Sequence, residues 1–189
     1  VGLDWPALAR ACLATAPETA PGATVGYSNV GSGLLALVVE RRTGRPFAVA
    51  LADLVLDPLG IDGHLGVEPP RAPAVIGGRL GDHAGTPLEP FNSAFWRALA
   101  FPWGGLVTTA AGALAIVEAF AGRPAGFLPP ALRAEAVRDQ TDGLGGGLFP
   151  PFRWPRCPWG LGVELRGAKR PHWTPRTASP DSFGHVGAS

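Results

Sequence analysis

The chain has 189 residues, 46% hydrophobic and 16% charged, a balance that suits one sizeable globular domain or part of a larger one and excludes a disordered chain. Sixteen basic and fifteen acidic residues leave a net charge of +1 with no block of like charge, which gives no footprint for a nucleic acid or an anionic membrane and points to a small-molecule partner. Apolar runs reach only six residues, as in Leu34 to Val39, against the roughly 18 that a bilayer span needs, and no basic stretch followed by an apolar one opens the chain.

In chain order, Asp4 predicts an N-cap for a helix over 4–15, with Pro6 in its first turn and Leu8, Cys12 and Leu13 on one face. Asn29 predicts the cap of a second helix, whose run Leu34, Leu35, Leu37, Val38, Val39 requires burial and whose stop is Gly44. Phe47, Ala50, Leu51 and Leu54 recur at helical spacing from about Pro46 to Leu56. From Val67 to Trp103 proline and glycine punctuate a long loop, with one helical turn expected over 93–99. Thr108 or Thr109 can cap a helix running to about Phe120, and 130–138 makes another. Trp159 to Arg166 and Asp181 to Gly187 have the length and bounding turns of antiparallel strands. The fold class expected is α+β, mainly helical over about 1–150, with a sheet starting at about 158–189.

Cys12 and Cys157 form no CxxC pattern, and His64, His83, His172 and His185 have no metal-ligand spacing, so neither a metal nor a cofactor is expected. A single disulfide between the two cysteines is left open. The stretch Gly31 to Ala36 reads as G-x-G-x-x-A, with Asp53 some twenty residues on. The residues before it, Gly26-Tyr27-Ser28-Asn29, have turn chemistry where a dinucleotide site needs a hydrophobic strand. No serine stands in a G-x-S-x-G elbow. Tyr27 and Asn29, two apart at a helix entry, can both face one pocket, or can be a core tyrosine followed by a capping asparagine. His185, between Gly184 and Val186, reads alone as an edge-strand histidine.

The ordered set PGATVGYSNVGSGLLALVVERRTGRPF, DLVLDPLGI, FPWGGLVTTAAGALAIVEAF, WGLGVEL and FGHVG resembles the penicillin-recognising serine hydrolases: class C β-lactamases, D-alanyl-D-alanine carboxypeptidases and family VIII esterases. The resemblance covers nearly the whole chain. It implies a β-lactamase/transpeptidase-like fold, a helical domain beside an antiparallel sheet, and a substrate that is a small ester, peptide or β-lactam. It assigns the family's Tyr-x-Asn loop to Tyr27 and Asn29 and its Lys/His-x-Gly strand to His185 and Gly187, with the NH of Ala188 in an oxyanion hole. Tyr27 would take the proton of a serine nucleophile, a task for which a phenol of pKa roughly 10 needs cations nearby.

The family's first motif, Ser-x-x-Lys, has no counterpart: none of the six serines is followed three places later by lysine, and the sole lysine is Lys169. The chain therefore reads as an internal fragment of a serine hydrolase, inactive and poorly stable as it stands, with the nucleophile expected upstream. The alternative is a catalytically dead binding or regulatory relative. A histidine in the third motif leans toward a carboxypeptidase or esterase.

Overall fold

The computed structural model describes residues 4–74, 85–86, 92–148 and 151–187. Much of the long loop expected between Val67 and Trp103 thus lies outside the described residues, as does Ala188. The chain forms two compact units, one within Val1–Thr15 and Ser28–Ala115, the other within Ala16–Tyr27 and Ile116–Ala188.

The first unit is built on helices. Helix α1, Trp5–Ala14, begins where the Asp4 carboxylate accepts the Ala7 N–H at 2.8 Å, with a proline in its first turn. Its buried residues are Ala9 and Cys12, while Leu13 is 68% exposed. The inward face is therefore Trp5, Leu8, Ala9 and Cys12, one position off the expected one, because the stripe is set by i, i+3, i+4, i+7 counted from Trp5.

Helix α2, Asn29–Thr43, is capped by Ser28, whose hydroxyl accepts the Gly31 N–H at 3.1 Å; Asn29 is the first helical residue. Both residue types are good caps, and the extended backbone at Ser28 decides between them. Gly44 closes α2 in the left-handed conformation at φ 68°. Only Gly33 and Ala36 of α2 are buried, and Leu35 is 67% exposed. The expected all-round burial is not observed, because the close contact uses the small residues. A Cβ on Gly33 would lie 2.7 Å from Cys12 Sγ and 3.2 Å from the Trp103 ring. These same glycines rule out the dinucleotide reading: Gly31 and Gly33 sit inside a helix, and no strand-to-helix glycine loop exists there.

A carboxylate ties three segments of this unit together. Glu40 of α2 accepts the Trp5 indole N–H at 3.0 Å and the Phe47 backbone N–H at 2.9 Å. The second bond satisfies one of the N–H groups left unpaired at the start of α3, Phe47–Leu51. The helix then runs into a π-helical turn, Ala52–Leu56, where the Asp57 N–H reaches back to the Ala52 carbonyl. That extra residue per turn rotates the stripe, so Leu56 is buried and Leu54 is 57% exposed, contrary to the 3.6-residue expectation. Strand β2, Gly63–His64, pairs antiparallel with β3, Val107–Thr108. The turn α4, Ala94–Ala98, stands where one was expected. Helix α5, Ala110–Phe120, which begins in this unit and ends in the second, is capped by the Thr109 hydroxyl, which accepts the Gly112 N–H at 3.0 Å, while Thr108 lies in β3.

The second unit holds α6, Pro130–Ala136, and two small sheets. Strand β1, Val25–Gly26, lies parallel to β4, Gly146–Gly147, which pairs antiparallel with β5, Arg153–Trp154. This ladder was not expected, since Gly143-Leu144-Gly145-Gly146-Gly147 has no side-chain pattern to read. Its glycines are required by packing: a Cβ on Gly146 would run into the Val25 carbonyl, and one on Gly147 into the Phe152 carbonyl. The late strands are present but shorter than expected: β6, Glu164–Leu165, pairs antiparallel with β7, Phe183–Gly184, and Trp159 bridges to Glu164. Helices with small, mostly antiparallel sheets make an α+β protein, as the sequence implies. Among the described residues no helix is long and apolar enough to cross a membrane, and no cluster of ligating side chains suits a metal. Cys12 and Cys157 are both buried and free, so the open disulfide does not form.

The closeness of α1 and α2 at Gly33 gives a direct test. Gly33→Val is expected to cost about 1–3 kcal/mol through overpacking, read as a lowered urea midpoint. Adding Cys12→Ala, which clears the nearest atom, should return part of the loss; full additivity of the two changes would show that the contact does not limit packing.

Candidate active site

Tyr27 is placed by backbone, not by its side chain. Its N–H donates to the Gly147 carbonyl at 3.1 Å, and the Val25 N–H donates to Gly145 at 2.9 Å, extending the β1–β4 ladder through the tyrosine. The phenol projects from there and stays 42% exposed, which disposes of the reading as a core tyrosine. Its ring centroid lies 5.7 Å from that of His185 and 6.2 Å from that of Trp159, and the last two rings meet edge to face at 5.7 Å. Three rings thus close a triangle at one surface of the second unit.

His185 follows directly on β7. Its Nδ1 lies 2.7 Å from the Val186 carbonyl oxygen. A carbonyl only accepts, so Nδ1 carries a proton and donates it, which leaves Nε2 of the neutral ring with a free lone pair. Gly187, two residues on, is exposed. Asn29 belongs to the first unit, at the exposed start of α2. Of the residues singled out from the sequence, Tyr27 and His185 are brought into contact; His185 and Gly187 lie in the irregular segment just after β7, not in the strand expected over 181–187, and Ala188 lies outside the described residues.

Beneath the rings lies a set of groups that the sequence reading passed over. Lys169, the sole lysine, and Glu164 are both fully buried and form an ion pair at 2.8 Å. Lys169 also donates to the Pro158 carbonyl at 3.0 Å, and its ammonium lies 5.0 Å from the Trp154 ring centroid and 5.5 Å from that of Trp159. The other Glu164 oxygen accepts the Trp173 indole N–H at 2.6 Å. Trp159 therefore touches the buried cation as well as Tyr27 and His185. A Cβ on Gly184 would lie 3.0 Å from the Trp173 ring, so the glycine beside His185 is what lets that indole in. The signal in the sequence was density: three of the six tryptophans, one glutamate and the single lysine fall between residues 154 and 173.

Two more titratable groups line this interior. Burial pushes the Cys157 thiol up, so it stays protonated and is no nucleophile. His172 has Nδ1 2.7 Å from the Thr174 hydroxyl and accepts the Thr174 backbone N–H, which puts its proton on Nε2, 3.6 Å from Glu164. Burial is the largest influence on its pKa and lowers it from 6.5; Glu164 opposes this, while Lys169 and Arg166 add to it.

Two outcomes follow for stability. Lys169→Met leaves the Glu164 carboxylate buried without its cation and is expected to cost about 3–5 kcal/mol in urea unfolding; a cost below about 1 kcal/mol would contradict a buried pair. For His172, the unfolded ring takes up a proton at a higher pH than the folded one. Its contribution is therefore complete above about pH 6.5 and is lost as pH falls through the lower folded value. The melting temperature should drop on acidification from about pH 7 to about pH 5, and less so in His172→Asn; coincident profiles for the two proteins would exclude the effect.

The family described as beta-lactamase matches residues 2–189. The chain is 36% identical over 171 residues to esterase EstB of Burkholderia gladioli, covering 79% of this chain and 41% of the esterase. Among solved structures, a beta-lactamase from Mycobacterium bovis is 30% identical with a TM-score of 0.63, covering 89% of this chain and 51% of its own. A penicillin-binding protein homologue from Caulobacter crescentus, 23% identical, shares the fold with a TM-score of 0.68 over 97% of this chain and 52% of its own. The chain thus spans about half the length of these structures, and less of the esterase. A family match across residues 2–189 and shared α+β folds of the β-lactamase and transpeptidase type lead to one conclusion: this chain belongs to the beta-lactamase family.

Proposed function

We propose that these residues are part of a partial β-lactamase-like domain in a serine hydrolase that cleaves small esters or amides through an acyl-enzyme, with carboxylesterase action the first reading. The observation that supports it is the contact of the half-exposed Tyr27 ring with His185; the identity to an esterase points the same way. The serine and lysine of a Ser-x-x-Lys motif, absent from the 189 residues, belong in this proposal to another part of the protein.

In the reaction, the serine hydroxyl attacks the acyl carbon while Tyr27, as phenolate, takes its proton. Collapse of the tetrahedral adduct breaks the bond to the leaving oxygen or nitrogen, which receives that proton. Water then repeats the sequence and releases the acid. The motif lysine lowers the cost of the phenolate by its charge. Asn29 holds the acyl side of the substrate or the lysine by hydrogen bonds. His185, with Nε2 unprotonated, can accept a hydrogen bond from the site, and the Ala188 N–H beyond Gly187 serves the oxyanion. D-alanyl-D-alanine carboxypeptidase and β-lactamase action use the same steps with an amide leaving group.

The missing Ser-x-x-Lys also supports a second reading, a relative that binds ester, peptide or β-lactam without turnover. Both readings are tested on the full-length protein with a p-nitrophenyl ester, nitrocefin and a labelled β-lactam. Tyr27→Phe is expected to lower kcat by roughly 10²–10⁴-fold with the fold intact by circular dichroism. Full activity in Tyr27→Phe sinks the proposed role of the tyrosine, and binding of the label with no turnover of any substrate favours the second reading.

A further inference from the structure

The charge of the chain nearly cancels, but it is not evenly spread: between residues 166 and 180 stand Arg166, Lys169, Arg170 and Arg176 and no acidic residue. In the fold this stretch closes around a cavity of about 390 Å³, lined by all four of these side chains with His172 and Thr174, and by no carboxylate. The cavity lies entirely within the second unit.

Its charge is uncompensated. Arg166 is only 3% exposed, yet its guanidinium meets only neutral oxygens: the Thr174 hydroxyl at 3.1 Å, the Arg176 carbonyl at 3.2 Å and the Gly167 carbonyl at 3.5 Å. Five N–H donors against three long or neutral acceptors leave donors to spare. Among the described residues, Arg166, Arg170 and Arg176 form no ion pair. Glu164, the acidic group nearest in sequence, is taken by Lys169 and Trp173. A buried guanidinium without a counter-charge is costly, and proteins rarely keep one without a use. The His172 side chain, 3% exposed, also lines the cavity, but its Nε2 faces Glu164 at 3.6 Å and not the cavity. One cavity thus carries a buried guanidinium without a counter-charge and two exposed guanidinium groups at its edge.

We propose that residues 166–176 build a binding site for a phosphate monoester of a small organic molecule, with Arg166, Arg170 and Arg176 clamping the phosphate. Guanidinium forks match the paired oxygens of a phosphate, and each such bond is charge-assisted. The volume falls in the range of small-molecule sites and leaves room beside the oxyanion for an organic remainder. The site is separate from the Tyr27 chemistry in what it recognises: it reads a full negative charge, whereas an ester or amide is neutral at the bond to be cleaved.

The test is calorimetric titration of the full chain with inorganic phosphate and with glycerol 3-phosphate, repeated in Arg170→Gln/Arg176→Gln. Both arginines are exposed, so this variant should fold; Arg166→Gln, which removes the buried charge, is a second variant screened first by circular dichroism. Saturable binding is expected, tighter for glycerol 3-phosphate than for phosphate, and weakened about tenfold or more by the double substitution. Equal affinity for the two would overturn the organic remainder and assign the site to free phosphate. No saturation by roughly 10 mM of either, or binding unchanged in the double variant, would overturn the site. Arginine-dependent capture of RNA or of phosphatidylglycerol vesicles, with neither small phosphate bound, would overturn the small-molecule ligand.

Discussion

A single buried ion pair, Lys169 with Glu164, organises the second unit. Its charges lie out of water, so desolvation must be offset by geometry, and both partners are accordingly saturated: the ammonium by a carbonyl and two indole faces, the carboxylate by the ammonium and an indole N–H. Each of these bonds fixes a different stretch of chain. Glu164 is in register with Gly184 on one side and bridges Trp159 on the other, so the position of His185 and of the indole beside it derives from where this carboxylate sits.

The first unit solves its assembly in a similar way. Glu40 and Glu164 each accept a tryptophan indole N–H, from Trp5 and Trp173, and each spends its remaining capacity on a second segment. Proline and glycine make up 48 of the 189 residues, so regular ladders are short, and among the described residues every strand is two residues long. Carboxylates bonded to more than one segment substitute for long ladders, since one ionised group can accept several donors at once. Tyr27 is the exception, held by ladder alone.

Much of the helical part was legible because its signals are local. The Asp4 cap, the Gly44 stop and the proline-led start of α6 act within four residues of themselves and stand where the sequence puts them, and the cap of α5 is one of the two threonines it offers. What could not be read needed partners far along the chain. Ser28 and Asn29 are equivalent caps until backbone dihedrals choose; the glycine strand has no side chains to display a period; and the shift from Leu54 to Leu56 arises in the hydrogen-bond ladder itself. For the site, Tyr27 and His185 emerged from an ordered set of motifs, not from spacing, since 158 positions separate them. Trp159 was visible only as a strand residue, because its link to a buried lysine exists only in three dimensions.

The π-helical turn at Ala52–Leu56 has a meaning for how this sequence tolerates length change. An i to i−5 bond absorbs one residue more than the α pattern on either side, so it is the form a helix takes when a single residue is inserted without moving its ends. The turn keeps Phe47 on Glu40 at one end and Ile61 in the core at the other. A chain one residue shorter here can hold the same two anchor points with an unbroken α-helix.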